Sequence, residues 1–243
     1  MAKSRILFIT GTGTDVGKTA LSLAVLSWAR ARGIRAAYCK PVQCGDTEFG
    51  DPPRRGGDAD WLTHFSGAAW PTRVTYRLRL AASPHLASER EGIAIDPSRI
   101  RADLESLAGS HDLAVCEGAG GAAVPLDRHG TSLGALAASM GMPALIAAAP
   151  GLGTLHHTLS TIAWLRQAGA QVAGFAFCAR SSEAEPLEAD NRSTLESLSG
   201  LPCFGTVPWT AALAEGRLLS AGESAALWAP LAGALDAWNA RPA

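Results

Sequence analysis

Four consecutive apolar residues, Ile6-Leu7-Phe8-Ile9, run into the glycine-rich stretch Gly11-Thr12-Gly13-Thr14-Asp15-Val16-Gly17-Lys18-Thr19. An apolar run of this length reads as a strand covered on both faces. The next segment carries apolar residues at helical spacing, Val16, Ala20, Leu23 and Leu26, until Gly33 closes the pattern as a C-cap. Ala36 to Cys39 is a second apolar strand before Lys40-Pro41. Strand, loop, helix and strand in this order predict a parallel pair joined by a right-handed crossover. The glycines let backbone N–H groups turn inward around oxyanions, and the helix N-terminus adds its positive dipole end. The segment therefore reads as a phosphate loop, with Lys18 reaching the outer phosphates of a nucleoside triphosphate and the Thr19 hydroxyl facing Mg²⁺. Its spacing is unusual: five residues separate Gly11 from Gly17, one more than the common form. A glycine-rich turn that binds nothing is the competing reading, and the ordered strand, loop, Gly-Lys-Thr and helix argue against it.

The alternation continues. Residues 44–57, rich in Gly, Pro and charge, predict a flexible loop. Helices are expected over Asp58–Phe65, from Ser83-Pro84 with Ser as N-cap, and over Arg99–Ala108, Thr131–Met140, Thr154–Ala168 and Asp190–Ser199. Apolar strands are expected at Leu113–Cys116, Ala144–Ala149, Val172–Cys178 and Cys203–Val207. The pattern predicts an α/β fold: one doubly wound, mostly parallel sheet of P-loop NTPase-like topology, helices on both faces, in a single domain over residues 1–243. Such sheets bind ligands beyond the carboxyl ends of their strands. There lie residues 11–19, 40–45, 117–121, 151–157, 178–180 and 208–210.

Other function classes find little support. The net charge is −1 and no basic run occurs, against a nucleic-acid or membrane-surface partner. No apolar stretch approaches the ~20 residues of a spanning helix, and the N-terminal residues lack signal-peptide architecture. Five cysteines, an odd number without a CxxC pair, predict reduced thiols and a cytoplasmic location. Cys44 is the thiol expected to be accessible to alkylation. The histidines show no metal-ligand spacing, and none is assigned to zinc. Trp228 and Trp238 read as core or subunit anchors.

A triphosphate site needs hard oxygen ligands for Mg²⁺. Glu117, directly after the strand Leu113–Cys116, is one candidate, with a solvated turn carboxylate as the alternative. Asp58, at the head of a helix, is the other, with a helix N-cap as the alternative. Lys40 follows a buried strand and is a candidate cationic group, against the ordinary reading of an exposed lysine.

The run Gly11 to Thr19, then Lys40-Pro41-Val42, Ser83-Pro84-His85, Glu117-Gly118-Ala119-Gly120-Gly121, Leu152-Gly153-Thr154 and Pro208-Trp209, resembles dethiobiotin synthetases in order and spacing, from about residue 6 to residue 215. The five-residue loop spacing is a trait of that family. The resemblance implies an ATP-dependent cyclo-ligase that converts 7,8-diaminononanoate, CO₂ and ATP into dethiobiotin, ADP and phosphate, through a carbamate and a carbamic-phosphoric mixed anhydride. It implies Lys40 and Lys18 as catalytic residues, with Thr19, Asp58 and Glu117 on Mg²⁺. Nucleotide contacts fall to Asp15, Val16, Gly17, Lys18, Thr19, Ala20, Gly118, Ala119, Gly120, Cys178, Ala179, Pro208, Trp209, Thr210 and Glu215. Thr14, Lys40, Cys44, Gly153, Thr154 and His156 would contact the diamine, residues 151–157 reaching the substrate of the partner subunit in a homodimer.

The chain departs from the family pattern at Cys44 (usually Ser or Thr), Cys178 (often Asn, reading the base) and His156 (usually Asn). A thiol cannot donate and accept like an amide, so looser nucleotide selectivity is expected. Two other classes share the fold. A nucleotide-gated switch of the partitioning type carries an extra lysine early in the loop, where Gly13 stands here. Amide-forming ligases of the same fold usually carry a glutaminase domain, for which the sequence offers no segment.

Overall fold

The structure, a computed structural model, describes residues 5–45, 47–49 and 54–241. In chain order the elements are β1 Arg5–Gly11, α1 Lys18–Ala31, β2 Ala36–Cys44, β3 Thr47–Phe49, β4 Arg54–Gly56, α2 Asp58–Phe65, β5 Thr72–Leu78, α3 Pro84–Glu91 and α4 Pro97–Ser110. There follow β6 Leu113–Gly121, α5 Leu133–Ser139, β7 Ala144–Ala148, α6 Thr154–Gln167, β8 Val172–Cys178, α7 Glu188–Ser199 and β9 Cys203–Val207. Helices α8 Ala211–Glu215, α9 Ala221–Trp228 and α10 Ala232–Asn239 close the chain.

Seven strands form one parallel sheet in the order β5-β2-β6-β1-β7-β8-β9. Period-two alternation along β1 sends Leu7 and Ile9 to one face and Phe8 to the other. The first face is covered by α1, buried from Leu21 through Ala29, and by the C-terminal Leu227, Leu231, Leu235 and Trp238. The second is covered by Ile100 and Leu104 of α4, Leu136 of α5 and Ile162 and Leu165 of α6. Two apolar layers explain why the central strands read as unbroken apolar runs. Among the described residues no helix is long and apolar enough to cross a membrane.

Several expectations are corrected. β1 and β2 are not neighbours: β6 lies between them, pairing Phe8 with Cys116 on one side and Cys39 with Cys116 on the other. A helical crossover spans two strand widths as readily as one, so local sequence could not exclude the inserted strand. β2 and β6 run on to Cys44 and Gly121, which places Lys40 and Glu117 inside strands instead of just past them. The segment 44–57 contains the antiparallel pair β3–β4, although residues 46 and 50–53 lie outside the described residues. The edge strand β5 was not anticipated, nor were α8 to α10. Helix α4 begins at Pro97, where the Asp96 carboxylate accepts from the Ser98 N–H. Ser83 holds the N-cap position of α3, but its side chain makes no capping bond.

Candidate active site

The loop between β1 and α1 is held by close approaches that only small or left-handed residues permit. A Cβ on Gly11 would lie 2.6 Å from Val16 Cγ2, and Gly17 has φ 97°. Asp15 adopts φ 57°, a conformation aspartate tolerates better than most residues. Lys18 is buried, and its ammonium folds back across the loop to donate to the Gly13 carbonyl at 2.8 Å. Burial, then the neighbouring Lys40 charge, pushes the Lys18 pKa below the usual lysine range. Both lysines also sense Glu117 and Asp58. They share one electrostatic site.

Glu117 is completely buried and accepts four hydrogen bonds. Its Oε1 receives the Thr19 hydroxyl at 2.9 Å and Lys40 Nζ at 3.0 Å. Its Oε2 receives the Ser22 hydroxyl at 2.7 Å and the Tyr38 hydroxyl at 3.0 Å. Lys40, only 2% exposed, also donates to the Gly118 carbonyl at 2.9 Å and ion-pairs with Asp58. Burial alone would lower its pKa, but the Glu117 and Asp58 charges outweigh this and hold it above the usual range. Asp58 shows the mirror effect: burial raises its pKa, and the Lys40 charge and hydrogen bond bring it below the ordinary carboxylate value. Thr19 reaches Asp58 Oδ1 at 3.3 Å. Two carboxylates and a hydroxyl thus converge beside the loop with an ammonium between the carboxylates. The carboxylates and the hydroxyl are hard oxygen donors, and the carboxylates already compensate the Lys40 charge, which fits a small hard cation completed by phosphate and water. Among the described residues no cluster of three or more His, Cys, Asp or Glu forms a metal cage.

Helix α2 carries Asp58 and is tied down at its first turn. Asp60 Oδ2 accepts from the Gly57 N–H at 2.9 Å and from Gln43 Nε2 at 3.0 Å, while Gln43 Oε1 accepts from the Ala59 N–H at 3.1 Å. Arg77 of β5 grips Asp60 with both terminal nitrogens, at 2.8 and 2.9 Å. Burial would raise the Asp60 pKa, but these donors, Arg77 foremost, bring it down to about 2.

A cavity of about 240 Å³ opens on the other side of the loop, lined by Gly17, Ala20, Cys178, Ala179, Pro208 and Trp209 among others. The Cys178 thiol donates to the Gly17 carbonyl at 3.4 Å, and burial pushes its pKa up to about 12. The Thr210 hydroxyl caps α8 through the Ala212 N–H. A larger cavity of about 480 Å³ between α1 and α9 shares no lining residue with the polar cluster.

A family model described as an AAA domain matches residues 5–217. ATP-dependent dethiobiotin synthetase of Anoxybacillus flavithermus is 33% identical over 83% of this chain and 90% of that protein. The enzyme of the same name from Rhodococcus jostii is 36% identical over 92% and 94%. The chain belongs to the dethiobiotin synthetase family. Solved structures give the fold at greater distance: the cell division ATPase MinD of Pyrococcus furiosus superposes with a TM-score of 0.63 at 17% identity, covering 96% of this chain and 99% of that one. At that identity the likeness speaks for the fold alone.

The structure gathers most of the residues that carry the family resemblance into two adjoining groups. Lys18 and Thr19 at the start of α1, Lys40 inside β2, Asp58 at the start of α2, and Glu117 and Gly118 inside β6 form the polar cluster. Thr14 lies against Gly120, where an added Cβ would sit 3.9 Å from its hydroxyl, and Ala119 stands between Gly118 and Gly120 in β6. Val16 and Asp15 form the loop itself, while Gly17, Ala20, Cys178, Ala179, Pro208, Trp209 and Thr210 line the neighbouring cavity. Cys44 ends β2, half-buried beside its register partner Leu78. Other candidates stand apart. Glu215 is exposed, pairs with Arg217 at 3.0 Å, and does not line the cavity. Gly153, Thr154 and His156 begin α6, where Thr154 contacts Thr158 and His156 packs on His157. His85 receives only a backbone role, its N–H donating to the Pro125 carbonyl, with Nδ1 buried and unpartnered.

Tyr38, Ser22, Gln43, Asp60 and Arg77 escaped the sequence reading. Two left a signal. Tyr38 lies two residues before Lys40 on the same strand face, and Ser22 one helical turn after Lys18.

Proposed function

We propose that the chain is an ATP-dependent cyclo-ligase of biotin biosynthesis that closes the ureido ring of dethiobiotin on 7,8-diaminononanoate. One amine takes up CO₂ as a carbamate, whose oxygen attacks the γ-phosphorus and releases ADP. The second amine then attacks the carbamic-phosphoric carbon, expelling phosphate and losing its proton. The family membership supports the reaction. The observation that carries its location is the convergence of Lys18, Lys40, Thr19, Asp58 and Glu117 where the neighbouring strands β2 and β6 meet the first turns of α1 and α2.

In this reading the backbone of the loop and α1 cradle the phosphates. Lys18 gives up its Gly13 contact to follow the γ-phosphate, and Lys40 supplies positive charge to the carbamate and the transferring phosphoryl group. Fixed charge at atoms where negative charge develops is the dominant effect in such transfers. Thr19, Asp58 and Glu117 would hold Mg²⁺, which when bound neutralises and orients the phosphate oxygens. The cavity beside Gly17 and Trp209 would take the nucleobase by stacking and shape. Leu152, 96% exposed before α6, supports a homodimer in which residues 151–157 face the partner's substrate. The four buried thiols and the half-buried Cys44, none in a disulfide, support a reducing cytoplasm.

The test is incubation with the diamine, bicarbonate, ATP and Mg²⁺, reading dethiobiotin by mass and ADP release with and without diamine. Diamine-dependent ADP matched by product supports the ligase. ATP hydrolysis at the same rate without diamine, and no ring-closed product, would point to a nucleotide-gated switch instead.

A further inference from the structure

The four hydrogen bonds on Glu117 fall into two unlike pairs. The donors on Oε1, Thr19 and Lys40, belong to the proposed site and must re-aim when phosphates and a cation arrive. The donors on Oε2, Ser22 and Tyr38, have no such second task. A carboxylate oxygen offers about two lone-pair positions, so Oε2 is saturated by protein hydroxyls at 2.7 and 3.0 Å. The single Ser22 hydrogen also has the Lys18 carbonyl within reach at 3.0 Å, an ordinary in-helix alternative for a serine one turn on, but the shorter contact to the charged Oε2 favours the carboxylate. The Tyr38 hydroxyl is fully buried, and among the described residues its recorded acceptor is Glu117 alone.

We propose that Tyr38 and Ser22 are positioning residues, whose hydroxyls fix Oε2 so that Glu117 presents Oε1 alone to the cation and outer phosphates. The inference rests on the proposed role of Glu117 toward Mg²⁺. Its geometry follows from the scaffold. Tyr38 and Lys40 share one face of β2, whose register against β6 pairs Tyr38 with Val115, so Glu117 sits two residues further on the same face. Ser22 approaches from α1 above that face. Three elements therefore meet at one carboxylate whose remaining side-chain torsion is broad and two-fold when unrestrained. Two charge-assisted O–H bonds to one oxygen remove that freedom. Glu117 then acts as a single-oxygen ligand of fixed direction, which suits the strict octahedral demand of Mg²⁺.

The experiment measures ADP affinity by calorimetry in EDTA and again in saturating Mn²⁺, used as the probe cation. The ratio of the two affinities reports how strongly the cation is held in the site, without any turnover. Tyr38→Phe deletes one oxygen and keeps the buried ring. It is expected to lower the ratio on the order of tenfold, as loss of an outer-shell partner of a metal ligand does, and to leave ADP affinity in EDTA unchanged. Ser22→Ala should act in the same direction, and carries the test if Tyr38→Phe does not fold by thermal melting. Glu117→Gln is the reference for complete loss. If Glu117→Gln lowers the ratio while both hydroxyl variants keep it, the positioning role is wrong and the metal assignment stands. If ADP affinity in EDTA falls as far as in Mn²⁺, the hydroxyls only support the loop, which also overturns the proposal. A wild-type ratio of one overturns the metal assignment and this inference together.

Discussion

Replacing Lys40 by Met removes one charge and keeps most of the buried stem, so the consequence is set by what the ammonium leaves behind. It contacts Glu117 Oε1 at 3.0 Å, the Gly118 carbonyl at 2.9 Å, and Asp58. Glu117 stays fully buried with three hydroxyl donors but no cation in direct contact, Lys18 acting only through space, and Asp58 is about half exposed and can draw on water. Stripping one partner from a buried ion pair costs about 3–5 kcal/mol. The exposure of Asp58 argues for the lower end, ~3 kcal/mol. In a chain of 243 residues each kcal/mol moves the melting temperature by roughly 2–4 °C, so Lys40→Met should melt about 6–12 °C below the parent without metal. Mg²⁺ restores positive charge at the same carboxylates, so its stabilising increment should be larger in the variant than in the parent. Turnover should fall by at least about 100-fold, the usual effect of losing a preorganised charge-stabilising group, with ATP binding largely kept. Differential scanning fluorimetry across a Mg²⁺ series, with a nucleotide titration, reads all three. A metal-free melting temperature within about 2 °C of the parent, or equal Mg²⁺ increments, would refute the argument that Lys40 compensates these carboxylates.

Nucleotide choice should be loose. The cavity beside Trp209 offers stacking but no amide side chain, and the Cys178 thiol is turned to the Gly17 carbonyl. The kcat/KM preference for ATP over CTP is therefore expected in the tens, the range of shape-based discrimination, and a ratio near ~10⁴ would require a hydrogen-bonding reader. In the native protein iodoacetamide should modify Cys44 alone, since the other four thiols are buried. Burial pushes its pKa up to about 11, so labelling should be slow at neutral pH and accelerate with alkalinity; peptide mapping checks both. Asp60 stabilises the start of α2 with a folded pKa of about 2 against an ordinary 3.8. Its depressed value means the contribution is complete above pH 3.8 and lost as pH falls toward about 2. Asp60→Asn should flatten the acid limb of the stability curve in that window, and an unchanged limb by circular dichroism would contradict it.

How much of this was legible depended on how local the cause was. The strand, loop and helix over residues 6–31 are written in nearest-neighbour chemistry, and they stand where their pattern placed them. Lys40 and Glu117 were found as functional candidates yet set just outside their strands, because an isolated charge argues against a strand interior. Only the mutual compensation of Lys40, Glu117 and Asp58 makes burial tolerable, and that is invisible along one segment. Edge strand β5 was missed for a related reason: Arg73 and Arg77 on its exposed side interrupt the apolar run. The insertion of β6 between β1 and β2 depends on contacts about a hundred residues apart. Tyr38 and Ser22 looked like core and helix residues because their partner, Glu117, lies 79 and 95 residues away in sequence.

The polar cluster also says something about why it exists. Lys18, Lys40, Asp58 and Glu117 carry two positive and two negative charges, so the group is formally neutral while Lys18, Lys40 and Glu117 are desolvated and Asp58 is about half exposed. Such a set contributes little to folding, since apolar residues of similar volume are often as stable or more so. The surrounding sheet has apolar side chains on both faces, and the site could have been filled in the same way. Instead strands β2 and β6, α1 and the clamped first turn of α2 are all used to gather ionised groups in one site. Stability does not explain that arrangement. A site prepared for strongly charged ligands does, because its compensating charges are in place before the ligand arrives and need only exchange partners.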